Sequence, residues 1–101
     1  MSFATVLAED RRLVILRMLT EAQGFEANET VLKLGLDRFL HHVGRDILRA
    51  DIQYLTDHQL VRIEKMKVAA GDLWLVTLTA SGEDVARGRL HPGVARLSPE
   101  G

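Results

Sequence analysis

Apolar residues recur along this chain with two different spacings, one typical of helices and one typical of strands. Near the N-terminus the spacing is three or four residues, which predicts an amphipathic helix from Phe3 to about Ala22. Ser2 is placed to cap this helix and Gly24 to end it. The residues predicted to face the core are Phe3, Val6, Leu7, Val14, Leu16 and Leu19, and those predicted to face water are Glu9, Asp10, Arg11, Arg12 and Arg17.

A second helix is predicted from Glu29 to about His41, with Asn28 as its N-cap. The short connector before it, residues 25–27, is a candidate first strand. Gly35 costs this helix roughly 1 kcal/mol relative to Ala, so we expect another helix to pass close to it. The inner stripe of the helix is predicted to be Leu32, Leu36 and Phe39.

A third helix is predicted from about Arg45 to His58, after a turn in which Gly44 is the cap. The chain has no Gly where this helix ends. If His58 or Gln59 adopts the left-handed conformation at this point, the strain costs on the order of 1 kcal/mol. The inner stripe of this helix is predicted to be Leu48, Ile52 and Leu55.

Two runs rich in β-branched and aromatic residues follow, and they predict a β-hairpin. The strands are expected at Val61–Met66 and Leu73–Leu78, joined by a loop over Val68–Asp72. Alternate residues of the second strand are apolar, so we expect one face of it to be buried. These residues are Trp74, Val76 and Leu78.

The last predicted helix is short, with Thr79 or Ser81 as its cap and its end near Arg87. The order of elements is then helix, short strand, helix, helix, strand, wing, strand, helix. This order predicts an α+β winged helix-turn-helix fold. We assign residues 1–88 to this domain, and the Gly and Pro content of residues 89–101 predicts an extended C-terminal tail.

Composition narrows the possible chemistry. Of the 101 residues, 47% are hydrophobic and 27% are charged, and no apolar run is long enough to span a bilayer. The absence of cysteine excludes disulfides, thiolate metal sites and cysteine nucleophiles, and it fits an expected location in the cytoplasm. The net charge is −1, so any contact with nucleic acid needs a local basic patch.

Several segments of the chain resemble a family of small proteins encoded by Mu-like bacteriophages and prophages. They are AEDRRLVILRML, VGRDILRADIQYLTDHQLV, LWLVTLTASGEDVARGR and the closing PGV. The resemblance implies a small winged-helix phage protein, with DNA binding inferred from the fold. The helix and hairpin core is also similar to repressors of the arsenical-resistance and multiple-antibiotic-resistance types. The thiol metal-sensing site of the arsenical type is excluded, because the chain has no cysteine.

The third helix and the wing carry the residues expected to contact double-stranded DNA. Arginine can bind guanine through two hydrogen bonds, glutamine can bind adenine in the same way, and wing lysines can meet phosphates. The prediction requires the Arg45 and Arg49 side chains to stand free in water beside the wing lysines. The candidate residues are Arg45, Arg49, Gln53 and Thr56 on the helix and Lys65 and Lys67 on the wing.

Other charged residues leave alternatives open. Asp46, Asp51 and Asp57 lie on the same helix, so its arginines could instead belong to a solvated face with weak ion pairs. The basic residues near the C-terminus form either a mobile arm that follows DNA or a segment that packs on a partner subunit or frays. They are Arg87, Arg89, His91 and Arg96.

No pattern in the chain predicts catalysis or cofactor binding. His41 and His42 are adjacent and point in different directions, so they are placed to complement a helix dipole rather than to chelate a metal. There is no Ser/His/Asp order and no Gly-rich phosphate loop. We therefore expect neither an enzyme nor a bound metal or cofactor. Ile47 and Tyr54 are expected to contact the first helix or the hairpin.

These patterns predict a small phage- or prophage-encoded DNA-binding protein, acting as a transcriptional regulator. A homodimer is expected because recognition of two half-sites favours two-fold symmetry, with the first helix and the C-terminal region as the interface. The alternative is a non-enzymatic interaction module, in which the winged-helix scaffold binds a phage or host protein and no membrane.

Overall fold

The structure, a computed structural model, describes residues 2–97 of the chain. Within these residues it is an α+β fold of four helices and one three-stranded antiparallel sheet, in the predicted order. The elements are α1 (Phe3–Glu21), a single 3₁₀ turn (Gln23–Phe25), β1 (Glu26–Asn28), α2 (Glu29–Arg38), α3 (Arg45–Asp57), β2 (Val61–Val68), β3 (Gly71–Leu78) and α4 (Ala80–Ala86). No helix in the described part of the chain is long and apolar enough to cross a membrane.

The helix caps predicted from the sequence are confirmed by hydrogen bonds. Ser2, Asn28 and Thr79 each accept, through a side-chain oxygen, the backbone N–H three residues further on, at 3.1, 3.0 and 3.0 Å. Of the two candidate caps for α4, Thr79 is therefore used and Ser81 is not. Gly44, which precedes α3 as predicted, has no side chain with which to form such a bond.

The hairpin of β2 and β3 is longer than predicted. β2 continues to Val68 and β3 begins at Gly71, so only Ala69 and Ala70 form the turn, in place of the predicted loop over Val68–Asp72. Residues near the turn are exposed on both strands, so the alternation of buried and exposed positions that marks a strand is missing there. Backbone pairing alone extends the ladder, and Gly71 supplies the positive φ, 123°, at the turn.

The core lies between the helices and one face of the sheet, in which β3 is the central strand. The predicted inner stripe of α3 is confirmed, because its three residues are fully buried, and so is the buried face of β3. A Cβ atom at Gly35 would overlap the sulfur of Met18, which confirms that α1 passes close to this glycine. The core residues of these two elements are Leu48, Ile52, Leu55, Trp74, Val76 and Leu78.

Three apolar residues predicted to be buried are exposed. Phe3 and Val6, in the first turns of α1, are 73% and 42% exposed. Phe39 is 61% exposed because α2 ends at Arg38, earlier than predicted, and the chain turns away with Leu40 at a φ of 67°. Phe39 therefore does not continue the helical stripe on which its predicted burial depended.

The prediction for Arg11 and Arg12 is also wrong, because both side chains turn inward. Asp51 of α3 is 2% exposed, and the Nε atoms of Arg11 and Arg12 lie 2.5 and 3.2 Å from its carboxylate oxygens. A buried carboxylate needs charged or polar partners to offset its lost hydration. The two arginines supply them, and in doing so they connect α1 to α3.

Residues 89–97, here termed the C-terminal strap, contain no helix or strand and lie against the domain. Val94 is 5% exposed, the Ala95 N–H donates to the Glu9 carbonyl at 3.1 Å, and Arg12 donates to the Gly93 carbonyl at 3.0 Å. The Arg12 guanidinium also covers the Tyr54 ring, 3.9 Å from its centroid, so Tyr54 contacts α1 as predicted. The boundary at residue 88 stays a prediction.

The chain leaves α3 through a left-handed residue, which is Gln59 of the two that the sequence offered. Gln59 has a φ of 63°, whereas His58 has a φ of −95°. The Gln59 N–H donates to the Thr56 carbonyl at 2.9 Å, so the conformation serves to satisfy the end of the helix. The Gln59 side chain is exposed and takes part in none of the hydrogen bonds among residues 2–97. The strain at its Cβ atom is therefore not offset by a side-chain bond.

Replacing Gln59 with Gly should stabilise the protein. We expect Gln59→Gly to raise the free energy of unfolding by about 0.5–1 kcal/mol. Removing the left-handed penalty stabilises the fold, and the greater freedom of the unfolded chain offsets only part of this gain. Urea denaturation measures this value. Gln59→Ala is the control, since it keeps the Cβ atom and should give no such gain. An equal gain for both variants would contradict the strain at this position.

Candidate nucleic-acid interface

Arg45 and Arg49 lie on the same side of α3, because residues four positions apart are neighbours on a helix surface. Arg45 is the first residue of the helix, and its side chain is 53% exposed. Arg49 lies one turn further along, and its side chain is 29% exposed. The two arginines therefore differ in their access to solvent, and the residue beneath them explains why.

That residue is Glu29, in the first turn of α2, whose side chain is fully buried. Its two carboxylate oxygens accept hydrogen bonds from Nε and Nη2 of Arg49, both at 2.7 Å. The Trp74 N–H of β3 donates to Oε2, also at 2.7 Å. The Nε atom of Arg45 lies 3.6 Å from Oε1. One carboxylate thus joins α2, α3 and the hairpin.

The charges of this cluster stabilise one another. The hydrogen bonds from Arg49 are the main cause that lowers the pKa of Glu29 below its ordinary value of 4.5, and the Trp74 N–H adds to them, while burial opposes them. The same bonds raise the pKa of Arg49 above its ordinary value. Glu29 is therefore an ionised acceptor in the folded protein at neutral pH.

Sequence reasoning did not identify Glu29 as a functional residue. An acid in the first turn of a helix is common, because it complements the helix dipole, so its sequence position gives no signal of burial. The partner arginine is 20 residues away and the partner tryptophan 45. Only the packing of α2 against α3 and β3 brings the three together.

The Trp74 ring connects α3 to the wing. The Cζ atom of Arg49 lies 4.6 Å from the ring centroid, and the Nζ atom of Lys65 lies 5.0 Å from it. Lys65 is directly opposite Trp74 in the hairpin, and Lys67 is opposite Asp72, so both lysines are on the face of the sheet that carries Trp74. The cationic groups of helix and wing therefore meet around one indole.

Of the three acids on α3, not all reduce the positive charge of this surface. Asp51 is buried against Arg11 and Arg12 of α1 and does not belong to the exposed surface. Asp57 accepts a hydrogen bond from the Gln53 amide at 2.9 Å, so it engages one of the predicted contact residues. Asp46 follows Arg45 in the first turn of α3 and is exposed, so it does reduce the positive charge there.

The six predicted contact residues are not equivalent in the structure. Arg49 does not stand free in water as predicted, because it bonds Glu29 and also donates to the Asp72 carbonyl at 3.0 Å. The Thr56 hydroxyl donates to the Ile52 carbonyl of its own helix at 2.8 Å, so it points into α3. The residues with exposed side chains are Arg45, Gln53, Lys65 and Lys67, and their role in binding stays a prediction.

The basic residues near the C-terminus do not form a free arm over the part that the structure describes. Arg87 lies 2.9 Å from Glu83, and Arg89 lies 3.6 Å from Asp84. The C-terminal strap, to which Arg89 belongs, packs on α1. Through residue 97 the segment therefore packs on its own domain, which neither of the two interpretations described.

Histidines and acids do not assemble into a metal site in residues 2–97, where no group of three or more of them is suitably placed. His41 is buried, and its Nε2 atom lies 2.7 Å from the Asp10 carboxylate, so it links the end of α2 to α1. Adjacent His42 is exposed and lies 3.4 Å from Asp37.

Comparison with known proteins finds relatives in bacteriophages and bacteria. The chain is similar to gp26 of Escherichia phage Mu, an uncharacterized protein, with 45% identity over 95 residues that cover 93% of this chain and 94% of that protein. It is also similar to an uncharacterized protein of Haemophilus influenzae, with 42% identity over 67 residues, 66% of this chain and 65% of that protein. No protein-family model matches the chain. The wider resemblance to resistance-type repressors stays a prediction.

Neutralising Glu29 should destabilise the fold. We expect Glu29→Gln to lower the free energy of unfolding by about 2–3 kcal/mol, somewhat less than for a fully buried pair, because water can still reach part of Arg49. Urea denaturation at neutral pH measures the loss. Glu83→Gln is the control, since it removes the surface pair with Arg87 and should cost less than about 0.5 kcal/mol. Equal losses for the two variants would refute the central role of Glu29.

The lowered pKa of Glu29 should also make this stabilisation depend on pH. Its folded pKa lies below the ordinary value of 4.5, so its contribution is complete above that pH and is lost as the pH falls through the folded pKa. We expect the difference in unfolding free energy between the wild type and Glu29→Gln to be constant near neutral pH and to shrink as the pH falls below 4.5. A difference that does not change over this range would contradict the prediction.

Proposed function

The chain belongs to the family of small phage proteins that includes gp26 of phage Mu, and from this premise we propose that it is a winged helix-turn-helix protein that binds double-stranded DNA. In this proposal it is encoded by a phage or prophage and regulates transcription. α3 is the recognition helix, and the hairpin of β2 and β3 is the wing. The order of the elements supports this assignment, since the hairpin directly follows the third helix.

The arrangement around Trp74 is the observation that carries the proposal. Arg49 of α3 and Lys65 of β2 both lie within 5.0 Å of the centroid of its ring. A recognition helix and a wing can grip one duplex only if their cationic groups belong to a continuous surface. The indole provides this continuity, because it fills the space between helix and hairpin.

Each residue of this surface has a distinct role in the proposal. Arg45, exposed at the N-terminal end of α3, reaches base edges in the major groove, and Gln53 lies two turns further along the helix. Lys65 and Lys67 neutralise backbone phosphates. The prediction from the sequence required Arg49 to be free in water, and Glu29 holds it instead, so contact with DNA in this proposal rests on Arg45, Gln53 and the two lysines. Arg49 positions α3 against the hairpin and does not read a base.

The local charge supports binding of an anion although the whole chain is slightly acidic. At the N-terminal end of α3 and on the hairpin, four cationic side chains stand against the carboxylates of Glu29, Asp46 and Asp72, which leaves a net charge of +1, compared with −1 for the chain. Asp57, at the other end of α3, is bonded to Gln53 and is not part of this count. Glu29 and Arg49 form an ion pair and cancel each other, so the exposed part of the surface keeps the same net charge of +1. The four cationic residues are Arg45, Arg49, Lys65 and Lys67.

A second candidate function, binding of a phage or host protein, is favoured by a different observation. α2 and the turn after it expose four large apolar side chains, at 53%, 62%, 61% and 81%. Exposed apolar groups that cluster on one element are typical of protein interfaces. These residues are Val31, Leu34, Phe39 and Leu40.

Titration of a mixed-sequence duplex, followed by fluorescence polarisation, tests the proposal. We expect binding that weakens steeply between about 50 mM and about 200 mM salt. Arg45→Ala should weaken binding to a preferred site by about 1–3 kcal/mol. The double variant Lys65→Ala, Lys67→Ala should reduce the slope of log affinity against log salt by about 2, one for each lost phosphate contact.

The matched control is Arg62→Ala, which removes one positive charge from the same strand. Arg62 is exposed and lies on the opposite face of β2 from Lys65, because side chains alternate along a strand. It should leave both affinity and salt slope nearly unchanged. An absence of binding at low salt would refute DNA binding and favour the protein-interaction candidate.

A further inference from the structure

The first turns of α1 lack a packing partner among residues 2–97. Residues 2–6 are all exposed, and Phe3 and Val6 present apolar side chains at 73% and 42% exposure. The C-terminal strap crosses α1 at Glu9, whose carbonyl accepts the Ala95 N–H at 3.1 Å. Phe3 lies six residues before this crossing, about 9 Å along the helix axis. The helix therefore projects beyond the strap with an apolar side chain near its tip.

A groove lies directly beside this projection. α1 contributes Glu9 to it, one turn after Val6, so the groove begins where the exposed apolar part of the helix ends. Leu90 at its rim is 66% exposed. The rest of the groove is formed by the strap, through Leu90, His91, Pro92, Val94, Ala95 and Arg96. An apolar projection and a largely apolar groove are thus adjacent on one chain.

We propose that these two features form the interface between two copies of this chain. In a two-fold symmetric pair, each copy makes the same contact that it receives. Phe3 and Val6 of one copy would fill the groove of the other, and the reciprocal contact would follow from symmetry. A foreign partner would need only the projection or only the groove. The presence of both, next to each other, fits a second copy.

The charges at the groove agree with this arrangement. Glu9 and Arg96 both line it, and neither takes part in an ion pair among residues 2–97. When two α1 helices cross antiparallel, Glu9 of each copy approaches Arg96 of the other, so the apolar contact is flanked by two pairs of opposite charge. α3 and the hairpin are not part of this surface, so the inference does not depend on DNA binding.

Sedimentation velocity on the purified full chain tests the proposal. The wild type should be a dimer at micromolar concentration. Phe3→Glu should weaken the dimer at least about 100-fold, because a charge replaces a buried aromatic ring twice in each pair. Phe39→Glu is the matched control, since it introduces the same charge at another exposed phenylalanine, and it should leave the dimer intact. Circular dichroism confirms that both variants fold.

Disulfide trapping gives a second measurement. The chain has no cysteine, so single-cysteine variants carry one thiol each. On oxidation, a mixture of Phe3→Cys and Leu90→Cys should give the mixed dimer faster than a mixture of Phe3→Cys and Phe39→Cys. A monomeric wild type, a dimer that survives Phe3→Glu, or equal trapping in the two mixtures would overturn the proposal. A monomeric wild type would leave the surface to a different protein.

Discussion

The position of α3 depends on one buried carboxylate. Glu29 has no access to solvent, and an ionised group so placed is stable only if its lost hydration is replaced by hydrogen bonds. Two donors of Arg49 and the N–H of Trp74 provide them, each at 2.7 Å. Because these donors belong to α3 and β3, while the acceptor belongs to α2, all three elements must be in place before the charge is satisfied. The orientation of α3 relative to the hairpin of β2 and β3 is thereby defined.

A second buried carboxylate holds the other flank of α3. Asp51, nearly as buried as Glu29, is bonded by Arg11 and Arg12 of α1. Between the two ion-paired flanks runs the apolar stripe of the helix, which packs into the core. Buried ion pairs add little net stability when both partners are present, but they penalise any arrangement that separates them. We infer that these pairs specify the position of α3, while the apolar residues supply most of the energy.

This division removes several charged side chains from those that a partner could contact. Arg49, Arg11 and Arg12 are engaged within the fold, and Arg87 and Arg89 pair with acids of α4. A weakly acidic chain can still present a basic surface if its acids are buried or paired elsewhere, as Asp51 is. The charge that a partner meets is therefore set by which groups the fold neutralises, not by the composition of the chain.

The sequence by itself determined the order and type of the elements, the Ser2 and Asn28 caps and the buried face of β3, because each depends on neighbours within a few residues. The tertiary structure alone decided which charged residues are buried. The partners of Glu29 lie 20 and 45 residues away, and those of Asp51 lie about 40 residues away, beyond any local pattern. The tertiary structure also decided the exposure of Phe3, Val6 and Phe39. Helical spacing shows which residues share a face, but it does not show whether another element covers that face.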